Sequence, residues 1–324
     1  MVSDFINHLG KAGSLNIDLL FKIINLADLK QAVLNNKPYY INTGGLLIDL
    51  ECPRVMGIIN ITPDSFYAGS RLITENEIIA RAVKMREEGA DILDVGGYST
   101  RPGSHAVSEE EERRRVISAI KLIRQELPDS IISVDTFRAE IAREAVLESG
   151  ASIINDVSGG EADPLMFPLV EELNVPYILM HMQGTPATMQ DDPQYDDVVA
   201  DILRWFGARI ARLKSAGVKD IIIDPGFGFG KTRQHNYEML SRLNEFSVAG
   251  LPLMAGLSRK SMIWKTLGVT ASEALNGTTA LNMIALCKGA DILRVHDVKE
   301  AVETVKLFRE LKLENGLSDY QMKK

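Results

Sequence analysis

Side chains that could bind or catalyse recur along the chain, each at the end of a short apolar run. They are Asn60, Asp135, Asn155, Asp156, His181, Asp224, Lys260, Arg294 and His296. Carboxylates and amides accept hydrogen bonds, whereas lysine, arginine and histidine donate to anions. Taken singly, an aspartate after a strand is often a helix cap, and His181, between apolar neighbours, is typical of a structural histidine. Their repetition after successive runs predicts instead that they meet at one rim.

One glycine-rich segment resembles two nucleotide-binding motifs but lacks a glycine that each of them requires. PGFGFGKT, residues 225–232, has Pro225 where a phosphate-binding P-loop needs its first glycine. The same segment has Lys231 where a dinucleotide-binding GxGxxG motif needs its last glycine. The zinc-peptidase motif HExxH is absent from the sequence.

The apolar runs have the length of strands and alternate with longer, charged stretches. Strands are predicted at 55–60, 91–97, 131–136, 152–158, 177–182, 220–226, 252–258 and 291–297. Helices are predicted at 108–127, 137–149, 163–173, 196–216 and 298–313. The seventh strand is followed by helical stretches at 260–267 and 272–288 on either side of Gly268, which predict either one long helix or a broken one. The strands are apolar on both faces, as strands covered on both sides are.

This alternation predicts a (β/α)8 TIM barrel, although an open doubly wound sheet would produce the same pattern. Eight units within about 260 residues favour the closed form. Residues 1–38 do not fit the repeat and are predicted to form a helical N-terminal extension. Residues 39–50 predict a hairpin around Gly44-Gly45 that plugs the bottom of the barrel. The barrel with its hairpin would then span 39–313, and 314–324 would be a polar tail.

Composition excludes several classes of protein. A net charge of −8 argues against a nucleic-acid-binding surface. Cys52 and Cys287 have neither disulfide-framework nor zinc-site spacing. The sequence has no signal-peptide pattern and no uncharged apolar stretch of about 18 residues, so we expect a cytoplasmic protein without membrane spans.

Nine segments, in the same order as in the family, resemble the dihydropteroate synthases, which are pterin-binding barrel enzymes. They are MGIINITPDSF (56–66), DVGGYSTRPGS (94–104), SVDTFRAEIA (133–142), IINDVSGG (153–160), LMHMQGTP (179–186), DPGFGFGK (224–231), GLSRKSM (256–262), NGTTALN (276–282) and LRVHD (293–297). The resemblance extends over roughly residues 40–312.

The resemblance implies a transferase of folate biosynthesis that requires Mg²⁺, forms a homodimer and is a target of sulfonamides. Such an enzyme joins 6-hydroxymethyl-7,8-dihydropterin pyrophosphate to 4-aminobenzoate, which gives 7,8-dihydropteroate and pyrophosphate. The resemblance places the pterin at Asp135, Asn155, Asp224, Lys260 and Arg294. It places the metal at Asn60 and the pyrophosphate at Asn60, Arg294 and His296. It places 4-aminobenzoate at Phe66, Thr100, Pro102 and Ser261, and it makes Asp135, Lys260, Arg294 and His296 the catalytic group.

The sequence departs from the family at three places. The first loop reads SFYAGS (65–70) where many members have SFSDGG, Tyr98 replaces a common glutamate, and Phe137-Arg138 replace Ser-Lys. The missing loop aspartate bears on loop closure and metal contact, not on the pterin pocket. Two alternative functions remain, a methyltetrahydrofolate–corrinoid methyltransferase and a pterin-binding protein without turnover.

Overall fold

A computed structural model describes residues 39–61, 74–98, 107–185 and 188–314. The strands are β1 (Tyr40–Asn42), β2 (Leu47–Asp49), β3 (Arg54–Asn60), β4 (Ile92–Gly96), β5 (Ile131–Asp135), β6 (Ile153–Asp156), β7 (Tyr177–Met180), β8 (Ile221–Asp224), β9 (Met254–Ala255) and β10 (Ile292–Val295). The α-helices are α1 (Glu75–Glu87), α2 (Glu109–Glu126), α3 (Ala139–Ser149), α4 (Met166–Leu173), α5 (Val198–Ser215), α6 (Arg233–Ser241), α7 (Ser261–Leu267), α8 (Leu275–Cys287) and α9 (Val298–Glu314).

Strands β3 to β10 form one parallel sheet in the order β8-β7-β6-β5-β4-β3-β10-β9. The two ends of this sheet meet where the backbone N–H of Ile223 donates to the carbonyl of Pro252 at 2.9 Å, beside a parallel bridge between Ile223 and Leu253. The sheet is therefore a barrel, which confirms the predicted (β/α)8 fold and excludes the open sheet.

The sequence prediction had no helix at α1 or at α6. Both begin with a local signal, because Thr74 and Thr232 each accept a hydrogen bond from the backbone three residues later. Each helix is largely polar, so the apolar periodicity that identifies a helix is weak there. Of the two alternatives around Gly268, the broken helix is the one found, since α7 ends there with Gly268 in the left-handed conformation at φ 70°.

The N-terminal hairpin closes the bottom of the barrel, as predicted. Strands β1 and β2 are antiparallel, and they bury Ile41, Ile48 and the following Leu50. These three side chains pack on a layer of barrel residues, one from each strand: Met56, Ile92, Ile131, Ile153, Ile178, Ile222, Met254 and Ile292. This layer is entirely apolar.

The next layer of the barrel interior is polar. Side chains of a strand alternate between its two faces, so the residues two positions further along also point inward. On five of the strands these residues are Asp94, Ser133, Asn155, Asp224 and Arg294. The barrel interior thus changes from apolar to polar over two residues of each of these strands. The polar layer is the one nearer the carboxyl ends of the strands.

Several sequence predictions concern residues outside the described ranges. These are the extension at 1–38, the tail after Glu314, and the three 4-aminobenzoate residues Phe66, Thr100 and Pro102. Among the helices of the described ranges, none is long and apolar enough to cross a membrane.

Candidate active site

A network of three charged residues, one arginine and two aspartates, crosses the polar layer of the barrel. Arg294, on β10, donates through Nε to Asp94 Oδ2 at 2.7 Å. Its Nη2 lies 2.6 Å from the same oxygen and 2.5 Å from Asp135 Oδ2. Asp94 on β4 is fully buried, and Asp135 ends β5. One planar cation therefore holds two carboxylates that come from neighbouring strands.

Asn155 on β6 extends this group. Its Nδ2 donates to Asp94 Oδ2 at 3.0 Å, and the residue lies directly opposite Asp135 in the β5–β6 ladder. Two acceptors in this layer, Asp94 Oδ1 and Ser133 Oγ, are buried without a hydrogen-bond partner in the described part of the chain. Buried acceptors of this kind are costly to leave unmet. The layer therefore fits a ligand that donates hydrogen bonds.

Asp224 and Lys260 form the opposite side of the site. Asp224 is buried at the end of β8, and its Oδ1 accepts from the backbone N–H of Gly226 at 2.8 Å. Gly256 lies between the two, since a Cβ there would be 3.8 Å from Asp224 Oδ2 and 3.7 Å from Lys260 Nζ. The missing side chain at Gly256 leaves space beside both charged groups.

Burial disfavours the charged forms of Asp135, Asp224 and Lys260, and it shifts their pKa values accordingly. It raises the pKa of Asp135 to about 7, although Arg294 opposes the shift. It also raises the pKa of Asp224, with Lys260 opposing. It lowers the pKa of Lys260 to about 8, with Asp224 opposing. Shifted pKa values in charged clusters of this kind are typical of functional sites.

The remaining described candidates lie around this group. His296 shares a 3.0 Å hydrogen bond between its Nδ1 and Ser258 Oγ, and its backbone N–H donates to the same oxygen at 3.1 Å. Asn60 ends β3 opposite Gly96 of β4, and it is partly buried. Ser261 is exposed and begins α7 directly after Lys260.

An apolar cluster lines the barrel mouth next to the polar group. Val157, Met180, Met182 and Met189 are buried there, with Phe137 and Phe229 packed against them. Lys260 Nζ lies 4.7 Å from the centre of the Phe229 ring. Polar groups beside aromatic and methionine side chains suit a flat ring with a polar edge.

Two of the strand-end candidates have structural roles here: His181, as the sequence indicated, and Asp156, which the sequence placed among the residues of the rim. Asp156 accepts from the backbone N–H and the hydroxyl of Ser158, from the backbone N–H of Gly160 and from the hydroxyl of Tyr177, at 2.7–2.8 Å. His181 is buried, and its Nδ1 shares a 2.9 Å hydrogen bond with Lys231 Nζ. Neither side chain belongs to the polar group around Arg294.

The structure thus brings Asp135, Asn155, Asp224, Lys260 and Arg294 to one mouth of the barrel. Sequence reasoning assigned no site role to Asp94, Ser258 and Phe229, which lie in the same region. Asp94 could have been found, because it lies two residues after the inward-facing Ile92. For Phe229 and Ser258 only the loop geometry reveals the contacts.

Comparisons with a family model and with curated proteins both point to pterin-binding enzymes. The model of the family described as "Pterin binding enzyme" matches residues 56–296. The dihydropteroate synthase of Escherichia coli (strain K12) is 48% identical over 265 residues, which cover 81% of this chain and 93% of the E. coli protein.

Two solved structures share the fold over nearly their whole length. The Yersinia pestis dihydropteroate synthase with a sulfonamide drug complex has a TM-score of 0.80 and 40% identity, and the match covers 85% of this chain and 100% of that one. The Xanthomonas albilineans dihydropteroate synthase with 4-aminobenzoic acid has a TM-score of 0.79 and 40% identity, covering 85% and 99%. The chain therefore belongs to the pterin-binding enzymes and, within them, to the dihydropteroate synthases.

Proposed function

We propose that this chain condenses 6-hydroxymethyl-7,8-dihydropterin pyrophosphate with 4-aminobenzoate to 7,8-dihydropteroate and pyrophosphate. The observation that carries the proposal is the polar group at one mouth of the barrel, in which Asn155, Asp224 and Arg294 of the polar layer lie with Asp135 and Lys260. The polar group itself indicates a ligand with an edge rich in hydrogen-bond donors. Family membership adds the identity of the reaction.

The pterin ring is proposed to bind through its polar edge. That edge has an amine and a ring N–H side by side, which one carboxylate accepts as a pair. Asp224 is the proposed partner, with Asn155 and Asp135 completing the hydrogen bonds. Lys260 is proposed to donate to the acceptor edge of the ring, and the guanidinium of Arg294 to stack on its face.

The reaction is proposed to be a dissociative substitution. The bond between the pterin methylene carbon and the pyrophosphate oxygen breaks, and its electron pair leaves with pyrophosphate. The ionised carboxylate of Asp135 stabilises the cationic methylene that remains. The amine nitrogen of 4-aminobenzoate then forms the new C–N bond, and its surplus proton passes to water.

The pyrophosphate is proposed to lie at Asn60, Arg294 and His296, with Mg²⁺ at Asn60. In the described ranges no group of three or more histidine, cysteine, aspartate or glutamate side chains is placed to hold a metal ion. This fits Mg²⁺, which retains several waters and takes few protein ligands when it binds with substrate phosphates. When bound, the ion would neutralise charge on the departing pyrophosphate.

Replacement of Asn60 tests the metal assignment. We expect Asn60→Ala to raise the Mg²⁺ concentration at half-maximal activity on the order of tenfold, because one neutral contact is lost. The affinity for 6-hydroxymethylpterin, which has no pyrophosphate, should stay unchanged in calorimetry. A variant with the Mg²⁺ dependence of the unaltered protein would contradict the assignment.

The pKa of Asp135 predicts how activity depends on pH. Only the ionised carboxylate stabilises a cation, so kcat/KM for the pterin pyrophosphate should decrease as pH falls through about 7. Asp135→Asn should lower kcat/KM at every pH and remove this acid limb. A flat profile of the unaltered protein between about pH 6 and pH 8 would contradict the proposed role.

The 4-aminobenzoate pocket is proposed to include Phe66, Thr100, Pro102 and Ser261. From the described residues we add Phe229, whose ring lies at the barrel mouth beside Lys260. Sulfonamides resemble 4-aminobenzoate, so they are proposed to compete with it for this pocket.

One assay separates the proposed function from its alternatives. Pyrophosphate release is measured with both substrates and Mg²⁺, with and without a sulfonamide. We expect release that depends on 4-aminobenzoate and that the sulfonamide inhibits competitively. A pterin-binding protein without turnover would release none, and a corrinoid methyltransferase would bind cobalamin in a parallel binding test.

We further propose a homodimer located in the cytoplasm. Both statements rest on the likeness to the family. Light scattering in solution measures the assembly directly.

A further inference from the structure

Apart from Phe229, the glycine-rich segment after β8, residues 225–231, has no role in the function proposed above. It lies directly on the segment that follows β7. A Cβ at Gly226 would be 2.0 Å from the carbonyl oxygen of His181, and a Cβ at Gly230 would be 2.4 Å from that of Gln183. Both glycines also have positive φ, at 71° and 62°. Glycine is therefore required at both positions for the two segments to pack this closely.

Lys231 at the end of this segment connects the two segments through its side chain. The residue is 2% exposed. Its Nζ lies 2.9 Å from His181 Nδ1, 3.3 Å from the His181 carbonyl and 2.9 Å from the Phe229 carbonyl. Burial lowers the pKa of Lys231 well below its usual value, with Asp224 opposing. When the amine is protonated, each of its three N–H donors has an acceptor here. Burial and the cations of Lys231 and Arg209 lower the pKa of His181 to about 2, which keeps the imidazole neutral and able to accept.

The residues between Gly226 and Gly230 surround the Lys260 side chain. The carbonyl of Phe227 accepts a hydrogen bond from Lys260 Nζ. The ring of Phe229 lies 4.7 Å from the same nitrogen. A Cβ at Gly228 would be 3.3 Å from Lys260 Cδ. The position of Lys260 therefore depends on the position of this segment.

We propose that Lys231 is a positioning residue of the active site. It holds the Phe229 carbonyl against His181, and this fixes the carbonyl of Phe227 and the ring of Phe229 that place Lys260 beside Asp224. Lys231 itself does not touch the ligand. That the ligand is a pterin rests on the proposed function.

The first test measures pterin affinity. We expect Lys231→Met to weaken binding of 6-hydroxymethylpterin on the order of 10- to 100-fold, because small displacements of binding groups have effects of that size. Lys231→Arg, which keeps the charge and the donors, should recover a large part of the affinity.

Tyr177→Phe is the matched control. It removes another buried hydrogen bond, the 2.7 Å contact from the Tyr177 hydroxyl to Asp156, away from Lys260. The control should lower Tm without changing pterin affinity. If Lys231→Met folds and binds the pterin as tightly as the unaltered protein does, the proposal is wrong.

The second test needs neither ligand nor turnover. The titration of Lys260 is followed by NMR in lysine-labelled protein, with Lys260→Gln to identify the signal. Lys260 faces Asp224 and Arg294, and its expected midpoint is about 8. In Lys231→Met the midpoint should rise, because a segment that no longer holds Lys260 in place leaves its ammonium less desolvated. An unchanged midpoint would overturn the proposal, whereas an unaltered protein that releases no pyrophosphate would count only against the proposed function.

Discussion

Asp224→Asn should weaken the binding of 6-hydroxymethylpterin by about 100-fold or more, since breaking a buried charged hydrogen-bond pair costs about 3 kcal/mol. The carboxylate is buried, and one of its oxygens is already used by the backbone N–H of Gly226. Its other oxygen faces the space at Gly256. An amide in this place would present a donor to a ligand edge that also donates.

The control for this variant is an aspartate at the opposite end of the barrel. Asp91 precedes β4, accepts from the backbone N–H of Val55 at 2.8 Å and pairs with Arg54. Asp91→Asn should change stability but not pterin affinity. Calorimetry of both variants, with circular dichroism to establish folding, decides the matter. Equal affinities for the pterin in Asp224→Asn and the unaltered protein would show that Asp224 does not hold the ring.

Arg294→Met should abolish activity and lower the free energy of unfolding by about 3–5 kcal/mol at neutral pH. Methionine keeps most of the apolar length of the side chain but removes the cation between Asp94 and Asp135. Asp94 is fully buried and would retain only the Asn155 amide as a partner for Oδ2 among the described side chains. Two carboxylates without a counter-ion are costly in a barrel interior.

The decrease in the free energy of unfolding caused by Arg294→Met should depend on pH. Arg294 opposes the rise in the pKa of Asp135, so without it that pKa should exceed about 7 and remain above the unfolded value of about 3.9. Between these values the folded state binds more protons than the unfolded state, so stability decreases as pH rises. The difference in free energy of unfolding between variant and unaltered protein should therefore be larger at pH 8 than at pH 5.

Arg143→Met serves as the control, because Arg143 forms a two-bond pair with Glu172 at 2.6 and 2.7 Å on the surface. Exposed pairs contribute little, so this variant should have nearly unchanged stability at both pH values. Urea titrations at pH 5 and pH 8 measure both variants. A destabilisation of Arg294→Met that is equal at the two pH values would contradict the buried-pair explanation.

The alternation of apolar runs with helix-patterned stretches was sufficient to predict the fold, and the polar residues that end those runs include most of the candidate site. Parallel strands in a barrel end on the same face, so residues such as Asp135, Asn155 and Asp224 had to meet once the strands were recognised. The hairpin was likewise predictable from Gly44-Gly45 between two short apolar runs. Helices α1 and α6 were missed because their apolar stripes are narrow.

The sequence by itself determined the barrel, the plug at its bottom and the rim where the polar residues collect, because apolar runs of strand length and strand–helix repetition are local properties of the chain. Only the tertiary structure decided which side chains contact one another in the site. Arg294 lies 200 residues from Asp94 and 159 from Asp135, and their contact depends on β10 closing next to β3. The same holds for Lys231, whose acceptors at His181 lie 50 residues away on another loop. Contacts across a barrel follow from its closure and register, and no local pattern encodes them.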